Sequence, residues 1–577
     1  MERYTIGIDF GTLSGRALLV RVSDGREMGS ASLPYRHGVM DDLLPTPEGD
    51  LRLPPNWALE HPADYLEVFS ILPGLLRACG VTPDEVIGLG VDSTTCTIFP
   101  TDAEGTPLCT NPRFASDPHA YAKLWKHHAA QKYAARITET AKARGEGWLS
   151  HYGGAIQSEW ALPKLLETLT EDPELADAAA AFTDAADWLV WQLTGARTRN
   201  SCVNGYKNAA PDGTLPSDEY LAALDPRFPA LLREKLCSAP VVPVGSRAGA
   251  LSDQGARLTG LLPGTAVAAG HADAHVAPPS ARAVHPGEMF AMIGTSTCML
   301  VSAEEFVPVP GVCGIVKNGI VPGLWGYEAG LGCVGDTFAW FADRCVTASL
   351  KAEADARSIH PITLLSEKMT ALRPGESGLL ALNWWNGNRC LLNDSDLSGM
   401  LVGLNLNTRP EEIFRALVEA TAFGTRAIIE NYRSHGVPVL SFTASGGIAQ
   451  KNPAVMQIYA DILGMEIRVG ASKEGPALGS AIYAAAAAGT EMGGYADIFA
   501  ASEAMGALSD TVYRPDPANR RVYDALYREY LALTDYFGRG GNDVMKRLLT
   551  LRAEARSGSP SGSFAPRIPG IQKSKSF

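Results

Sequence analysis

Two stretches about 280 residues apart repeat one pattern: an apolar run, a Gly-Thr turn and a second apolar run. Residues 4–8 lead through Asp9-Phe10-Gly11-Thr12-Leu13-Ser14-Gly15-Arg16 into residues 17–22. Residues 289–293 lead through Gly294-Thr295-Ser296-Thr297 into residues 299–301. Each reads as strand, tight turn and strand, and a device used twice points to a duplicated domain. Glycine lets the backbone approach a ligand closely, and the amides and hydroxyls beside it can donate to phosphate oxygens in a nest-like turn. For either turn alone, an ordinary hairpin rich in threonine is the alternative. Asp9 adds a constraint, because a carboxylate beside a phosphate turn makes sense with a cation between them, such as Mg²⁺ held through oxygen ligands and water.

The first half opens as an antiparallel meander over residues 4–8, 17–22 and 28–35. A helix over 64–78 places Tyr65, Phe69, Leu72, Leu75 and Leu76 at helical spacing, with Pro73 kinking or splitting it. Strands over 86–91 and 97–99 flank Asp92-Ser93-Thr94-Thr95, a polar turn at a strand end, where an open α/β sheet presents ligand contacts. Asp117, with Pro118 as first helical residue, starts a predicted helix reaching Arg144 and carrying Trp125, a residue type that is ordinarily core. Residues 185–193 read as a helix ended by Gly195, with Trp188 and Trp191 in the core. Asn204-Gly205-Tyr206-Lys207-Asn208 reads as a loop, whose lysine taken alone is a solvated charge.

Ahead of the second turn stands Gly270-His271-Ala272-Asp273-Ala274-His275. Here Asp273 is either a functional carboxylate at a domain junction or the cap of a helix running into Val276-Ala277. A zinc site built from His271, His275 and Asp273 on one helical face is the third reading, though no Glu follows His271 as the zinc-protease motif requires. Glu328 lies in Leu324-Trp325-Gly326-Tyr327-Glu328-Ala329-Gly330, read as a strand end between aromatic and small residues. After a strand over 378–382 comes Trp384-Trp385-Asn386-Gly387-Asn388-Arg389, and an Arg389–Asp394 ion pair is expected. A helix over 410–434 sets Phe414, Leu417, Thr421 and Ile428 on one face. Phe442-Thr443-Ala444-Ser445-Gly446-Gly447-Ile448 is a strand ending in two glycines, followed by a helix that Asn452-Pro453 opens and Gly464 closes. Helices follow over 474–488 and 518–537, the second expected to be the last, and the residues beyond 556 have the composition of a disordered tail.

A net charge of -13 opposes broad nucleic-acid binding, which depends on clustered Lys and Arg. The ten cysteines include no Cys-x-x-Cys pair, so neither a zinc site nor a disulfide framework is indicated. No apolar run is long enough to span a bilayer, and residues 1–3 lead straight into a strand. The expectation is a cytoplasmic protein without membrane partners, with a homodimer as the default assembly.

The pairing of Asp9-Phe10-Gly11-Thr12 with Gly294-Thr295-Ser296 resembles the ATPase fold shared by actin, hexokinase and the heat-shock chaperones. Adding Gly90-Val91-Asp92-Ser93-Thr94-Thr95 and Gly446-Gly447-Ile448-Ala449-Gln450-Lys451-Asn452-Pro453 narrows the resemblance to the FGGY carbohydrate kinases, over residues 4 to about 485. It implies an α/β protein of two actin-like (RNase H-type) ATPase domains with a central cleft. Residues 1–279 would bind sugar, 280–540 nucleotide, and 541–577 would be a largely disordered extension. ATP and Mg²⁺ are implied as cofactors, with Asp273, in the family's Gly-x-x-Asp pattern, as the base that accepts the proton of a sugar hydroxyl. Thr94, Cys96, Trp125, Lys207, Asp273 and Glu328 are the implied sugar contacts. On the nucleotide side the resemblance implies Asp9, Gly11, Thr12, Ser14, Arg16, Gly294, Thr295, Ser296, Gly446, Gly447 and Asn452, with Asp9 as metal ligand. Within the family the ketopentose kinases converting L-ribulose to L-ribulose 5-phosphate fit best. Xylulose, D-ribulose, glycerol and gluconate are the alternative substrates, and an actin-like or chaperone-like ATPase switching a protein partner is a remote one.

Overall fold

The computed structural model describes residues 2–557. The repeat seen in the sequence folds as two seven-stranded sheets with matching topology. In the first, β1 (Tyr4–Phe10), β2 (Ser14–Arg21) and β3 (Glu27–Pro34) form the antiparallel meander, and β4 (Val86–Ser93) joins β1 in parallel. β5 (Arg247–Ala250) and β6 (Ala266–Ala268) extend the sheet beyond β4, while the short β7 (His271–Ala272) pairs with the end of β4. In the second sheet β8 (Glu288–Ile293), β9 (Thr297–Ala303), β10 (Gly314–Lys317) and β11 (Trp325–Leu331) make the antiparallel part. There β12 (Ser441–Ser445) and β13 (Ile467–Gly470) run parallel to β8, and β14 (Leu508–Tyr513) closes the edge. Both sheets therefore run from a meander into parallel strands, the two-domain actin-like architecture of sugar kinases. Every residue of β1 and β4 is buried, as expected of parallel strands covered on both faces.

The covering element on one face of β1 and β4 comes from the far end of the chain. The Ala-rich helix Gly475–Ala488 lies against them because glycines leave room for its backbone. A Cβ on Gly7 would stand 1.8 Å from the Ala477 carbonyl oxygen, and one on Gly90 would stand 2.1 Å from that of Ser480. Backbone cannot yield as a side-chain tip can, so Gly7→Ala is expected to cost about 3 kcal/mol by overpacking. A clear fall in the thermal unfolding midpoint would register it. A core shared by both halves fills the space between the sheets, with Leu18, Ile87 and Val276 meeting Phe290, Leu300 and Ile482.

Several local expectations hold: Pro73 splits its helix into Pro62–Val68 and Leu72–Cys79, joined by a 3-10 turn. The helix Pro410–Ser434 buries Phe414, Leu417, Thr421 and Ile428. Trp188 is buried, whereas Trp191 is half-buried. Two segments differ. The expected helix from Asp117 is only a single 3-10 turn, Pro118–Ala120. The chain then pairs as Ala122–Lys123 with Leu59–Glu60, and the helix proper is Gln131–Arg144. Trp125 thus follows a strand rather than riding a helix, because strand pairing overrode local helical signals. The segment 204–208, expected as a loop, belongs mostly to the helix Ser201–Lys207. Asn200 caps it, its side chain accepting from the Val203 N–H, and Asp187 in turn fixes Asn200.

Past the helix Pro517–Gly538, where the last helix was expected, another runs over Val544–Ser557. It is anchored by buried Met545 and by a 2.6 Å contact of Lys546 Nζ with Asp394. The Ser/Gly-rich and Lys-rich stretches expected to be disordered lie, from residue 558 on, outside the described residues. Among the described residues no helix is long and apolar enough to cross a membrane.

Candidate active site

The first sheet brings three carboxylates to the ends of adjacent strands. Asp9, near the end of β1, is in register with Asp92 of β4, and Asp92 with His271 of β7, two residues before Asp273. Asp273 opens the short helix Asp273–Val276; its Oδ1 accepts the Ala274 N–H at 2.6 Å and the Thr95 hydroxyl at 3.5 Å. Asp92 is fully buried, its Oδ2 accepts the Ser480 hydroxyl at 2.5 Å, and its Oδ1 is buried without a partner. Burial, and next the negative charge of Asp273, push the Asp9 carboxyl up to about 7. Burial and the charge of Asp9 push Asp92 well above the usual carboxylate range, and burial raises Asp273. Such mutual repulsion, opposed at Asp9 by Arg16 and by a hydrogen bond with Asp92, is relieved by a divalent cation, so this oxygen-rich set fits Mg²⁺.

Both Gly-Thr turns stand at strand ends and close by a bond from the glycine N–H. Gly11 donates to the Ser14 carbonyl at 3.1 Å, and Gly294 to that of Ser296 at 2.9 Å. Among the described residues no backbone carbonyl takes the N–H groups of Thr12, Thr295 or Ser296, which suits them to phosphate oxygens. Arg16 Nη1 reaches Glu474 Oε2 at 3.5 Å, tying the first hairpin to the start of the helix Gly475–Ala488. Ser14 is half-buried beside it.

Trp125 is 43% exposed, and its Nε1 donates to Thr12 Oγ1 at 3.1 Å, which puts the indole beside the first turn. Lys207 is far from the solvated charge expected of a loop lysine. It is buried, its Nζ contacts Glu328 Oε2 at 3.0 Å, and it lies over the Trp160 ring at 5.3 Å. Burial alone would raise the Glu328 carboxyl, but Lys207, His275 and Arg389 outweigh it and hold it well below the usual range. Arg389 Nη2 lies 3.2 Å from Glu328 Oε1. The expected Arg389–Asp394 ion pair is therefore not formed: Asp394 meets Lys546, and Arg389 turns inward. Thr94 bonds Thr97 through their hydroxyls at 2.8 Å. Cys96 is buried at φ 69°, and its carbonyl receives the Lys164 ammonium at 2.6 Å.

In the second half β12 ends at Ser445, and at the next residue, Gly446, φ +93°, a Cβ would meet the Ile293 carbonyl oxygen at 2.6 Å. At Gly447 a Cβ would meet nothing within 4 Å, leaving a bare surface for a flat base or ribose. Asn452 is already engaged: its Oδ1 caps the helix Pro453–Leu463 at Val455, and its Nδ2 donates to Ser366. The zinc alternative fails on geometry. His271 lies on β7 against the Tyr483 ring, before the helix begins, while His275 faces Glu328 at 3.4 Å.

Residues missed in the sequence differ in how visible they were. Asp92 repeats the context of Asp9, Gly90-Val91-Asp92 beside Gly7-Ile8-Asp9, and that echo was available. Ser480 and the inward turn of Arg389 carried no local signal, and the pattern around His275 pointed to a metal rather than to Glu328, since each acquires its role through a partner distant in sequence.

Residues 289–488 match the C-terminal domain of the FGGY family of carbohydrate kinases. The chain is 50% identical to the ribulokinase of Shouchella clausii over 97% of its own length and 100% of the relative's. It is 48% identical to the ribulokinase of Geobacillus thermodenitrificans, over 97% of this chain and 99% of that one. Among solved structures, the xylulose kinase from Rhodospirillum rubrum superposes with a TM-score of 0.72 at 24% identity, over 92% of this chain and 98% of that chain, a likeness of fold. Matching topology, the paired turns and this full-length similarity make one conclusion: the chain belongs to the ribulokinase family of FGGY carbohydrate kinases.

Proposed function

We propose that the protein transfers the γ-phosphoryl group of ATP to the terminal hydroxyl of L-ribulose, giving L-ribulose 5-phosphate. The observation that carries this reading is the placement of Asp273, half-buried, close enough to Asp9 to raise its pKa, at the strand ends that carry the first phosphate turn. Phosphoryl transfer needs a positioned hydroxyl, an acceptor for its proton and stabilisation of charge on the transferring group, with little covalent help. Asp273 accepts the proton. The N–H groups at Gly11-Thr12 and Gly294-Thr295-Ser296 hold phosphate oxygens, and Gly446 and Gly447 accommodate the adenosine. Asp9, with Asp92 behind it, would hold Mg²⁺, which neutralises phosphate charge when bound. Lys207 and Glu328 offer a donor and an acceptor to the ketose hydroxyls, with Trp125 closing the side next to Thr12. Closure of the two halves excludes water that would otherwise take the phosphoryl group.

The test is a coupled ADP-release assay with L-ribulose, D-ribulose, xylulose, glycerol and gluconate. ADP formation is expected to be fastest with L-ribulose. Preference for glycerol, gluconate or xylulose defeats the substrate assignment, and ATP hydrolysis indifferent to every sugar defeats the kinase reading.

A further inference from the structure

A chain of alternating charge crosses between the two halves beside Lys207. Glu159 and Lys207 come from the first half of the sequence, Glu328 and Arg389 from the second. Arg389 Nη2 lies 3.9 Å from Glu159 Oε1 and 3.2 Å from Glu328 Oε1, and Lys207 Nζ lies 3.0 Å from Glu328 Oε2. The two oxygens of Glu328, a side chain only 5% exposed, are thus divided between cations from different halves. His275 Nε2 stands 3.4 Å from the same oxygen as Lys207. Two cations face two carboxylates here, a balance suited to an uncharged, hydroxyl-rich ligand rather than to a phosphate.

We propose that Arg389 is a positioning residue for ketose recognition, fixing the plane of the Glu328 carboxylate so that Glu328 and Lys207 each keep hydrogen-bonding capacity for sugar hydroxyls. This rests on the ketose-kinase reading. A carboxylate buried beside an ammonium and freed of its second partner turns both oxygens to the ammonium, because attraction is strong where water is scarce. Lys207 would then spend its N–H groups, and Glu328 its lone pairs, on each other. A planar guanidinium prevents that rotation, while a lysine in its place, a point charge on a flexible stem, restores charge without fixing the plane. A site built to pair particular hydroxyls also loses discrimination when one of its polar groups turns away.

The experiment compares Arg389→Met, Arg389→Lys and Glu159→Gln with the wild type in the ADP-release assay. Arg389→Met is expected to raise KM for the ketopentose about 10- to 100-fold and to narrow the preference for ribulose over xylulose, with KM for ATP little changed. Arg389→Lys should recover part of the loss, and Glu159→Gln should show a smaller loss of the same kind. If Arg389→Met does not fold, the other two variants decide: wild-type KM and preference in both overturn the proposal. Wild-type ketose KM in Arg389→Met, or an equal rise in both KM values, also overturns it. A wild type that phosphorylates no ketopentose overturns the underlying reading, whereas an active wild type with an indifferent Arg389→Met overturns this inference alone.

Discussion

Asp273→Asn is expected to lower kcat by about 10³-fold, within the usual range for removal of a positioned general base, while KM for ATP and for the ketose changes little. The asparagine keeps the size of the side chain and still has an oxygen to accept the Ala274 N–H, which Asp273 takes at 2.6 Å, so the helix start is preserved. It cannot take a proton from the sugar hydroxyl. Larger losses are not expected, because alignment and charge stabilisation by the two turns survive the substitution. The same residue sets a pH dependence. Asp273 must be ionised to act, and burial raises its pKa. The kcat/KM of the wild type should therefore rise with pH through a value above the ordinary carboxylate range and flatten beyond it. That limb should be missing from the residual activity of Asp273→Asn. Wild-type turnover in a variant that still binds both substrates would remove Asp273 from the role.

The second large effect is on stability and lies away from the chemistry. Lys123 Nζ is buried against Glu167 Oε2 at 2.6 Å, and His127 Nε2 shares that oxygen at 3.0 Å. Lys164, also buried, bonds its ammonium to the carbonyls of Cys96, Lys123 and Leu124. Glu167 is thus the carboxylate paired with the buried Lys123 ammonium, and Glu167→Leu strands that charge. The expected loss is about 3–5 kcal/mol, the cost of leaving a buried charge without its partner. Calorimetric unfolding should show the transition of this region moving to markedly lower temperature. Lys123→Met should cost less, since the Glu167 carboxylate it leaves keeps His127 Nε2 at 3.0 Å as a partner. Burial tends to raise the Glu167 carboxyl, but Lys123 and His127 hold it below the usual range. Burial lowers His127 to about 4. Both folded-state values lie below the unfolded ones, so both contributions are full above the unfolded pKa values and fade as pH falls. The histidine's fades from about 6.5 toward about 4, and the glutamate's below about 4.3. His127 stays in both proteins, so it is the glutamate's contribution, fading below about 4.3, that should narrow the gap between the wild type and Glu167→Leu, and an unchanged gap at the lowest pH would contradict the ion-pair account.

The electrostatics of the two sites differ for one reason. At Asp9, Asp92 and Asp273 like charges gather, with Arg16 the cation opposing them at Asp9, and the carboxyls rise; Glu328 and Glu167 each have cations beside them, and they fall. The first arrangement suits the divalent cation proposed there. The second balances its charges within the protein.

The sequence by itself determined the elements whose signals are local. The two Gly-Thr hairpins, the helix split at Pro73, the helix opened at Pro410 and the cap at Asn452 all follow from steric rules and hydrogen bonds among near neighbours. Asp9 and Asp273 stood out in the sequence beside a glycine turn and in a Gly-x-x-Asp pattern, and the fold sets both at the ends of neighbouring strands. Tertiary structure alone decided what depends on distant partners. A two-residue strand pairing displaced the helix expected at Asp117; Asn200 and Asp187 made a helix of the segment holding Lys207; and Arg389 chose Glu328 over its sequence neighbour Asp394. The same holds for the helix Gly475–Ala488, whose place on the opposite sheet depends on Gly7 and Gly90, hundreds of residues earlier. Local geometry is written in short windows of chain. Burial and charge pairing are settled only when the fold brings remote groups out of water together, where an unpaired charge costs several kcal/mol.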